Sequence, residues 1–372
     1  MQIPMSSPDI TSAEVDAVKA VLRTPCLSIG PRVDEFERRV AEYVGARHAV
    51  AVSCGTAGLH LAIIAAGVTD GDEVITTPFS FVASANVMLY ERAKPVFVDI
   101  DPLSLNIDSA RIEAAITRRT KAILPVHAFG QPADMYPILD IARRHGLTVI
   151  EDACEAIGAE YKGRKIGNLG RAGVFAFYPN KQITTGEGGM IVTDDDEWDG
   201  LFRSLRNQGR DIFDAWLNHS RLGYNYRLDE MSAALGAAQM SRIEELLAKR
   251  EKVAGWYKAR LKEIAGVTAP FVAPTTTRSS WFVYVVRFAP GVDRNRVMSL
   301  LEERGIPSRP YFTPIHLLPF YRQRFGYTPG DFPVTERVSA STLALPFFGN
   351  MPEKQVSAVC DILQEVIVQA RE

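Results

Sequence analysis

Short apolar segments alternate with segments of helical period along the first two thirds of the chain. The segments Ala49–Ser53, Leu147–Ile150 and Val174–Phe177 are apolar on both faces, and helical patterns such as Ala57–Ala66 separate them. This alternation is typical of a mostly parallel sheet that is covered by helices on both sides. The pattern therefore predicts an α/β fold for this part of the chain.

The last third of the chain has a different pattern. Residues 229–264 form one long stretch of helical period, and the Pro- and Thr-rich segment Thr268–Thr277 predicts a linker or surface loop. A strand over Trp281–Phe288 and further helices follow. We therefore predict a large α/β domain over residues 1–245 and a smaller α+β C-terminal domain over residues 246–372.

The composition narrows the class of protein. The 372 residues include 42 Lys+Arg and 44 Asp+Glu, for a net charge of −2, which argues against a nucleic-acid-binding surface. The 4 cysteines lack the paired spacing of metal sites and disulfide frameworks. The start of the chain has no signal-peptide pattern, and no apolar run approaches the roughly 18 residues of a membrane helix. We expect a soluble cytoplasmic protein that binds neither nucleic acid nor membrane.

Common catalytic signatures are absent from the sequence. It contains no phosphate-binding P-loop, no GxGxxG after a strand, no HExxH and no GxSxG. The 6 histidines are scattered without the spacing of metal ligands. We therefore predict no metal site.

The turn Ser53-Cys54-Gly55-Thr56 is the first of three candidate sites, each just past the carboxyl end of a predicted strand, where open α/β sheets bind ligands. Small residues at a helix N-terminus leave backbone N–H groups free to bind a phosphate. A tight turn that only requires glycine would have the same sequence.

The second candidate site follows the apolar strand Leu147–Ile150, where Glu151 and Asp152 come next and Glu155 is nearby. A carboxylate at the end of a buried strand needs a cation or a hydrogen-bond donor to offset its desolvation. Asp152 as the N-cap of a helix is the alternative interpretation.

The third candidate site is Lys181, which follows an aromatic strand and precedes a glycine-rich turn, Thr184–Gly189. A lysine in a poorly solvated cleft can supply the neutral amine that Schiff-base chemistry requires. A surface lysine that extends its amine into water is the alternative.

Together the three segments supply the contacts that pyridoxal 5'-phosphate requires. They are a phosphate cradle, a carboxylate that keeps the pyridine nitrogen protonated, and a lysine amine that reacts with the aldehyde. The order of Asp152 and Lys181 along the chain fits two neighbouring strands of one sheet.

Motifs along nearly the whole chain carry a resemblance to a known family. They are GTAGLHLA (55–62), FSFVASAN (79–86), PVHAFGQPADM (125–135), VIEDACEAIGA (149–159), NKQITTGEGGMI (180–191), GYNYRLDEMSAALG (223–236) and SRPYFTPIH (308–316). With them the chain resembles the DegT–DnrJ type sugar-nucleotide aminotransferase family of fold-type I pyridoxal-phosphate enzymes. It resembles the perosamine-synthase-like members most.

The resemblance implies roles for individual residues. Lys181 would bind the cofactor covalently and move the proton during catalysis, and Asp152 would pair with the ring nitrogen. The other implied cofactor contacts are Gly55 and Thr56 at the phosphate, Phe81 stacked on the ring, Glu155 near the ring hydroxyl, and Asn225 reaching the phosphate from the other subunit of a homodimer. For Phe81 the alternative is a core side chain at the start of a helix over Phe81–Tyr90.

One position departs from the family pattern. The family usually has a serine five positions before the lysine, where its hydroxyl binds the phosphate, and here that position is Ala176. A hydrogen bond to a charged acceptor contributes about 1.5–3 kcal/mol. We therefore expect weaker cofactor binding unless another group replaces it, while the catalytic residues are retained.

The second domain carries the implied substrate contacts, which are Arg309, Tyr311 and His316. Arg309 would bind a phosphate and His316 the sugar; alternatively, Arg309 pairs with a surface carboxylate and His316 packs among prolines. Residues 207–222 lack periodicity, which is typical of an active-site loop.

The resemblance implies a homodimeric aminotransferase that passes through pyridoxamine 5'-phosphate as an intermediate. Its amino donor would be L-glutamate, its acceptor a nucleotide-linked keto-deoxysugar, and its product would enter a surface polysaccharide such as O-antigen or a natural product. The nucleotide and the aminated carbon, C3 or C4, stay open. So do three alternatives: a dehydratase or lyase on the same fold, a cofactor-binding regulatory protein without activity, and a keto-inositol acceptor. Lysine at position 181 argues against the dehydratase branch, which has histidine there.

Overall fold

The structure, a computed structural model, describes residues 3–211 and 218–371. Residues 212–217, which belong to the predicted active-site loop over 207–222, lie outside the described residues. No helix in the described ranges is long and apolar enough to cross a membrane.

In chain order the strands are β1 (His48–Val52), β2 (Glu73–Thr76), β3 (Lys94–Phe97), β4 (Thr120–Ile123), β5 (Thr148–Asp152), β6 (Glu160–Tyr161), β7 (Arg164–Lys165), β8 (Ala172–Ala176), β9 (Gly189–Thr193), β10 (Val267–Thr268), β11 (Thr276–Arg278), β12 (Tyr284–Phe288) and β13 (Thr342–Leu345). The strands of the first 193 residues lie within a few residues of the predicted apolar segments, except for the short β6 and β7, and β10, β11 and β13 were also not predicted.

The α-helices alternate with these strands in the first part of the chain and cluster in the last part. They are α1 (Ser12–Leu22), α2 (Pro31–Val44), α3 (Gly55–Ala65), α4 (Ala83–Tyr90), α5 (Ser109–Ile112), α6 (Met135–His145), α7 (Asp196–Arg206), α8 (Glu230–Ser241), α9 (Ile243–Leu261), α10 (Arg294–Glu303), α11 (Pro319–Phe325), α12 (Pro333–Ser341) and α13 (Glu353–Gln369).

A large mixed sheet forms the centre of the fold. In the described part of the chain its strand order is β1-β9-β8-β5-β4-β2-β3. Strands β3, β2, β4, β5 and β8 run parallel, and β9 pairs antiparallel with both β8 and β1. The parallel majority confirms the predicted α/β class.

Helices cover both faces of this sheet, as β1 illustrates. Its residues Ala49 and Ala51 pack in one core with apolar residues of α2, α6 and α8, whereas Val50 and Val52 pack in a second core with α3 and α7. Because successive side chains of a strand point to opposite faces, a strand between two helical layers must be apolar at every position.

A smaller sheet of β10, β12 and β13 packs with α10 and α13 around a separate core. Helix α9 joins the two parts, because Leu246 and Leu247 belong to the core of the large sheet and Val253 and Tyr257 to that of the small one. Ile3, near the start of the chain, also packs in the smaller core. The division at residue 245 stays a prediction, and it falls within this continuous helix.

Two predicted elements differ from the structure. The helix predicted over 229–264 is interrupted at Arg242, whose φ of −127° is not helical and whose guanidinium bonds Asp9 at 2.6 Å. The loop predicted over Thr268–Thr277 includes the start of β11, which pairs with β6. The spacing of apolar residues along the chain could not show either feature, since both depend on contacts with distant residues.

Candidate active site

A cavity of about 450 Å³ lies at the carboxyl ends of β5 and β8, beside the start of α3. It brings together most of the residues that the sequence singled out. The predicted residues that line it are Gly55, Thr56, Phe81, Asp152, Glu155, Lys181 and Tyr311.

The turn between β1 and α3 presents a helix N-terminus to this cavity. The first amides of a helix have no partner within it, and the helix dipole favours an anion there. A β-carbon on Gly55 would lie 2.7 Å from the β-carbon of Ala176 and 2.8 Å from Sγ of Cys154. Glycine is therefore required for the helix to begin so close to β8, which places these amides beside the lysine segment.

Asp152 is the last residue of β5, is 4% exposed and lines the cavity. Its Oδ2 accepts a 2.6 Å hydrogen bond from the hydroxyl of Ser84, which is itself 2.8 Å from the hydroxyl of Ser80. Its Oδ1 accepts the amide of Cys154 at 3.2 Å. A carboxylate offers about four acceptor positions, so Asp152 retains capacity for a cationic group in the cavity.

Lys181 extends into the same cavity, with its side chain 12% exposed. Its Nζ lies 3.8 Å from Oε1 of Glu155 and 3.7 Å from the ring centroid of Phe282. The aromatic ring and the largely buried surroundings give the poorly solvated cleft that the sequence predicted.

Glu155 also lines the cavity, close to the amine of Lys181. Burial and the nearby charge of Asp152 raise the pKa of its carboxyl, and they outweigh Lys181 and the amide of Phe129, which donates to Oε2 at 2.8 Å. A carboxyl group with a raised pKa retains its proton to higher pH than a solvated one, so these surroundings disfavour the charged form of Glu155.

Phe81 lies before α4 rather than within it, because the helix begins at Ala83. Its side chain is 63% exposed and lines the cavity. The alternative of a core phenylalanine is therefore wrong, and the ring face is available to a planar ligand.

Three predicted residues do not line the cavity of this chain. Asn225 is exposed on the segment 223–227, where its backbone pairs with Asn207. Arg309 is also exposed, and its Nη1 bonds the carbonyl of Ser308 at 2.9 Å.

His316 is completely buried among aromatic rings, with Nε2 3.0 Å from Oε1 of Glu336 and its ring 4.7 Å from that of Phe332. Burial lowers its pKa despite that carboxylate. This position does not support the predicted sugar contact, because the ring has no face open to the cavity. The spacing in SRPYFTPIH could not reveal which of its side chains turn inward.

The cavity also contains residues that the sequence reasoning missed. They are Ser80, Ser84, Tyr178, Glu187, Phe282 and Phe312. Ser80 and Ser84 are four residues apart at the start of a helical pattern, a spacing that places them on one face. Phe282 lies just before β12 of the smaller sheet, and nothing in the local sequence connects it to Lys181.

The cavity fits pyridoxal phosphate. It offers an anion-binding helix start, a carboxylate with spare acceptor capacity, an amine in a poorly solvated position and an exposed aromatic face. Oδ1 of Asn180, on its wall, is buried and has no protein partner. In the described ranges, no group of three or more His, Cys, Asp or Glu residues is placed to hold a metal ion.

Known proteins are similar to this chain in sequence and fold over nearly their full length. The chain is 43% identical to GDP-perosamine synthase of Caulobacter vibrioides over 371 residues, 99% of both chains. It is 40% identical to the spore coat polysaccharide biosynthesis protein SpsC of Bacillus subtilis, covering 98% of this chain and 97% of that one. The crystal structure of DesV from S. venezuelae matches with a TM-score of 0.91 and 34% identity, covering 98% of each chain.

The sequence model of the DegT/DnrJ/EryC1/StrS aminotransferase family matches residues 8–364 of the chain. The fold, the cavity and this match agree with the predicted cofactor and reaction class. The chain belongs to the DegT/DnrJ/EryC1/StrS aminotransferase family and is a pyridoxal-phosphate-dependent aminotransferase.

Proposed function

We propose that the protein transfers an amino group from L-glutamate to the keto group of a nucleotide-linked deoxysugar. The observation that carries the proposal is the convergence of Lys181, Asp152 and the α3 N-terminus on one cavity. The 43% identity to a GDP-perosamine synthase over 99% of both chains supports a sugar nucleotide as acceptor. The nucleotide and the aminated carbon stay open.

When bound, pyridoxal phosphate supplies an electron sink that lets a C–H bond next to the substrate nitrogen break. The chain's own residues hold it in the required orientation. The amides of Gly55 and Thr56 and the hydroxyl of Thr56 bind the phosphate, and Asp152 offers a negative charge to the ring nitrogen. Phe81 would cover one ring face, and Glu155 would lie near the ring hydroxyl.

Lys181 is the group that moves the proton. Its Nζ would be neutral when it accepts a proton from the substrate carbon, and charged until it gives that proton up again. The ring of Phe282 and the carboxyl of Glu155 restrict where this amine can lie. One amine therefore serves both halves of the reaction, first with glutamate and then with the sugar.

Arg309 and Tyr311 are our candidates for substrate contacts. Tyr311 lines the cavity, and burial raises the pKa of its phenol, as does the carboxylate of Glu155. Its hydroxyl therefore stays a hydrogen-bond donor at neutral pH. The exposed guanidinium of Arg309, two residues before it, is suited to bind a phosphate of the nucleotide.

We further propose that the enzyme is a homodimer with a shared active site. Among the described residues that line the cavity, Lys181 is the one basic side chain, and three acidic ones, Asp152, Glu155 and Glu187, line it as well. A dianionic phosphate in such surroundings needs donors from elsewhere. Asn225 is exposed on a segment fixed to the protein body by the hydrogen bond from Ser53 N to Tyr226 O, so a second copy can supply it.

The proposed site of action is the cytoplasm. All four cysteines are free thiols, which is typical of a reducing compartment. The aminated sugar would then serve the synthesis of a surface polysaccharide such as O-antigen, or of a natural product.

Mass spectrometry of products tests the proposed reaction. The purified protein is incubated with nitrogen-labelled glutamate and a panel of GDP-, UDP- and dTDP-linked 3-keto and 4-keto deoxysugars. We expect one sugar to gain the labelled amine while 2-oxoglutarate is released. A deoxygenated sugar would overturn the proposal in favour of a dehydratase. Absence of 2-oxoglutarate with every acceptor would favour a regulatory protein.

A further inference from the structure

Arg250 is a buried arginine beside the active site that the proposed mechanism does not use. It lies in α9 and is 4% exposed. In the described part of the chain no carboxylate forms a salt bridge with it. Burial lowers the pKa of its guanidinium to about 10, although the nearby charge of Asp9 opposes this shift. A charge that is buried without a salt-bridge partner is costly, so its hydrogen bonds must offset the lost hydration.

Those hydrogen bonds go to backbone carbonyls of two separate segments. Nη2 donates to the carbonyls of Lys181 at 2.6 Å and Asn180 at 3.3 Å. Nη1 donates to the carbonyls of Trp281 at 3.1 Å and Phe282 at 3.2 Å. One guanidinium therefore joins the turn that carries the lysine to the segment that leads into β12.

The two joined segments meet again inside the cavity. The ring of Phe282 lies 3.7 Å from Nζ of Lys181, so Arg250 fixes the backbone of both members of this contact. A planar guanidinium has donors on two sides in a rigid geometry, whereas an ammonium group has three donors at one point. The fork can satisfy both segments at once, and a lysine cannot.

We propose that Arg250 is a positioning residue for Lys181. Its guanidinium holds the backbones of Lys181 and Phe282 at a fixed distance from each other, so that the amine stays at the place where the proton must move. The kinetic part of this inference rests on the proposed function. The chemical accessibility of the amine does not, because it can be measured in the protein without cofactor.

Arg250→Met removes the donors and keeps an apolar stem of similar length, and Arg250→Lys keeps the charge. Lys249→Met is the matched control, because Lys249 precedes Arg250 on α9 but bonds the carboxylates of Asp9 and Glu245 rather than either of the two segments that Arg250 joins. All are measured as full-length protein, with thermal unfolding as a check on folding.

The first readout is the rate of reductive methylation of Lys181 in cofactor-free protein, measured by peptide mass spectrometry against other lysines of the same sample. We expect Arg250→Met to raise this rate at least about threefold, since the amine loses its fixed contact with Phe282. Lys249→Met should leave it unchanged. If Arg250→Met does not fold, Arg250→Lys decides, with a rise of about twofold or more expected.

The second readout is steady-state kinetics of the loaded enzyme. Misplacement of a catalytic group by about 1 Å can cost 10²-fold in rate, so we expect kcat to fall about 10- to 100-fold in Arg250→Met while KM changes less than about threefold. Arg250→Lys should recover part of kcat.

A wild-type labelling rate in a folded Arg250 variant would overturn the inference, as would a wild-type kcat. A wild-type enzyme without transaminase activity would instead overturn the proposed function, and labelling alone would then decide the role of Arg250.

Discussion

Glu151 and Asp152 are adjacent carboxylates at the end of β5, and they have opposite surroundings because successive side chains of a strand point to opposite faces. Glu151 is 0% exposed, and its two oxygens accept hydrogen bonds from Nε2 of His127 at 3.0 Å and from three backbone amides at 2.6–2.8 Å. The amides are those of Gly167, Leu169 and Gly170. Asp152 accepts one hydroxyl and one amide and borders the cavity.

The difference separates a structural carboxylate from a functional one. Glu151 has a protein donor for each of its acceptor positions, so it ties β5 to the segment 167–170 and has nothing left for a ligand. Asp152 is incompletely satisfied and can accept a cationic ring. The number of donors that the protein itself supplies, rather than burial alone, distinguishes the two roles.

The largest expected effect is the loss of activity on substitution of a residue that lines the cavity. Lys181→Ala removes the amine that moves the proton, so we expect the rate of 2-oxoglutarate release from glutamate to fall by about 10³-fold or more. Thermal stability should change little, because the amine forms few contacts. Lys121→Ala, at an exposed position of β4, is the matched control and should retain activity. Substantial turnover by Lys181→Ala would place the chemistry elsewhere.

On the opposite face the expected effect is on stability. Glu151→Gln replaces the carboxylate by a neutral amide with a single acceptor oxygen. The NH2 group of that amide is itself a donor, and it would face the protein donors that now bond Glu151. Hydrogen bonds to charged groups contribute about 1.5–3 kcal/mol each, so we expect unfolding to become easier by about 3 kcal/mol or more. Urea denaturation measures this loss. An unfolding free energy equal to that of the wild type would show that Glu151 is not the structural member of the pair.

The pH dependence of that stability sharpens the assignment. Burial alone would raise the pKa of the Glu151 carboxyl, but hydrogen bonds from His127 and the amides outweigh it and hold the pKa below its ordinary value of 4.5. The carboxylate therefore stabilises the fold fully above that value, and this contribution is lost as pH falls through the lower folded pKa. The stability difference between wild type and Glu151→Gln should be constant near neutral pH and narrow below about pH 4.5. If the difference in unfolding free energy between wild type and Glu151→Gln stayed constant throughout the acid titration, the structural role assigned to the Glu151 carboxylate would be contradicted.

The smallest effect concerns the phosphate end of the cavity. Ala176→Ser restores the hydroxyl that the family usually has beside the α3 N-terminus. One such hydrogen bond contributes about 1.5–3 kcal/mol, which predicts cofactor binding about ten- to a hundredfold tighter. Fluorescence titration with pyridoxal phosphate measures it. Ala83→Ser, which adds a hydroxyl elsewhere on the cavity wall, is the control. Unchanged affinity in Ala176→Ser would mean that another group already replaces the missing donor.

The part of the site built from strand ends could be predicted from the sequence. Parallel strands place their carboxyl ends at one edge, so the order of Asp152 and Lys181 already implied that they meet. The alternation of apolar strand-like segments and segments of helical period also predicted the α/β class, because it is visible in the local sequence.

Contacts between distant segments could not be predicted in this way. His316 and Tyr311 belong to one motif, yet one is buried among aromatic rings and the other lines the cavity. Arg250 had a weak signal, because it occupies a position on the apolar face of α9, between Leu246 and Val253. Periodicity marks such a residue as buried but cannot identify the carbonyl groups that it binds.

The most direct test of the contrast compares Asp152→Asn with Glu151→Gln in one set of measurements, kcat and unfolding free energy. We expect Asp152→Asn to lose about 10²-fold or more in kcat, because it removes the charge offered to the ring. Its loss of stability should be smaller than that of Glu151→Gln, because two protein donors rather than four bond this carboxylate. Glu151→Gln should lose stability while its folded fraction retains kcat within about threefold. If Asp152→Asn retained wild-type kcat, or if both variants lost activity and stability to the same extent, the division between a structural and a functional carboxylate would be wrong.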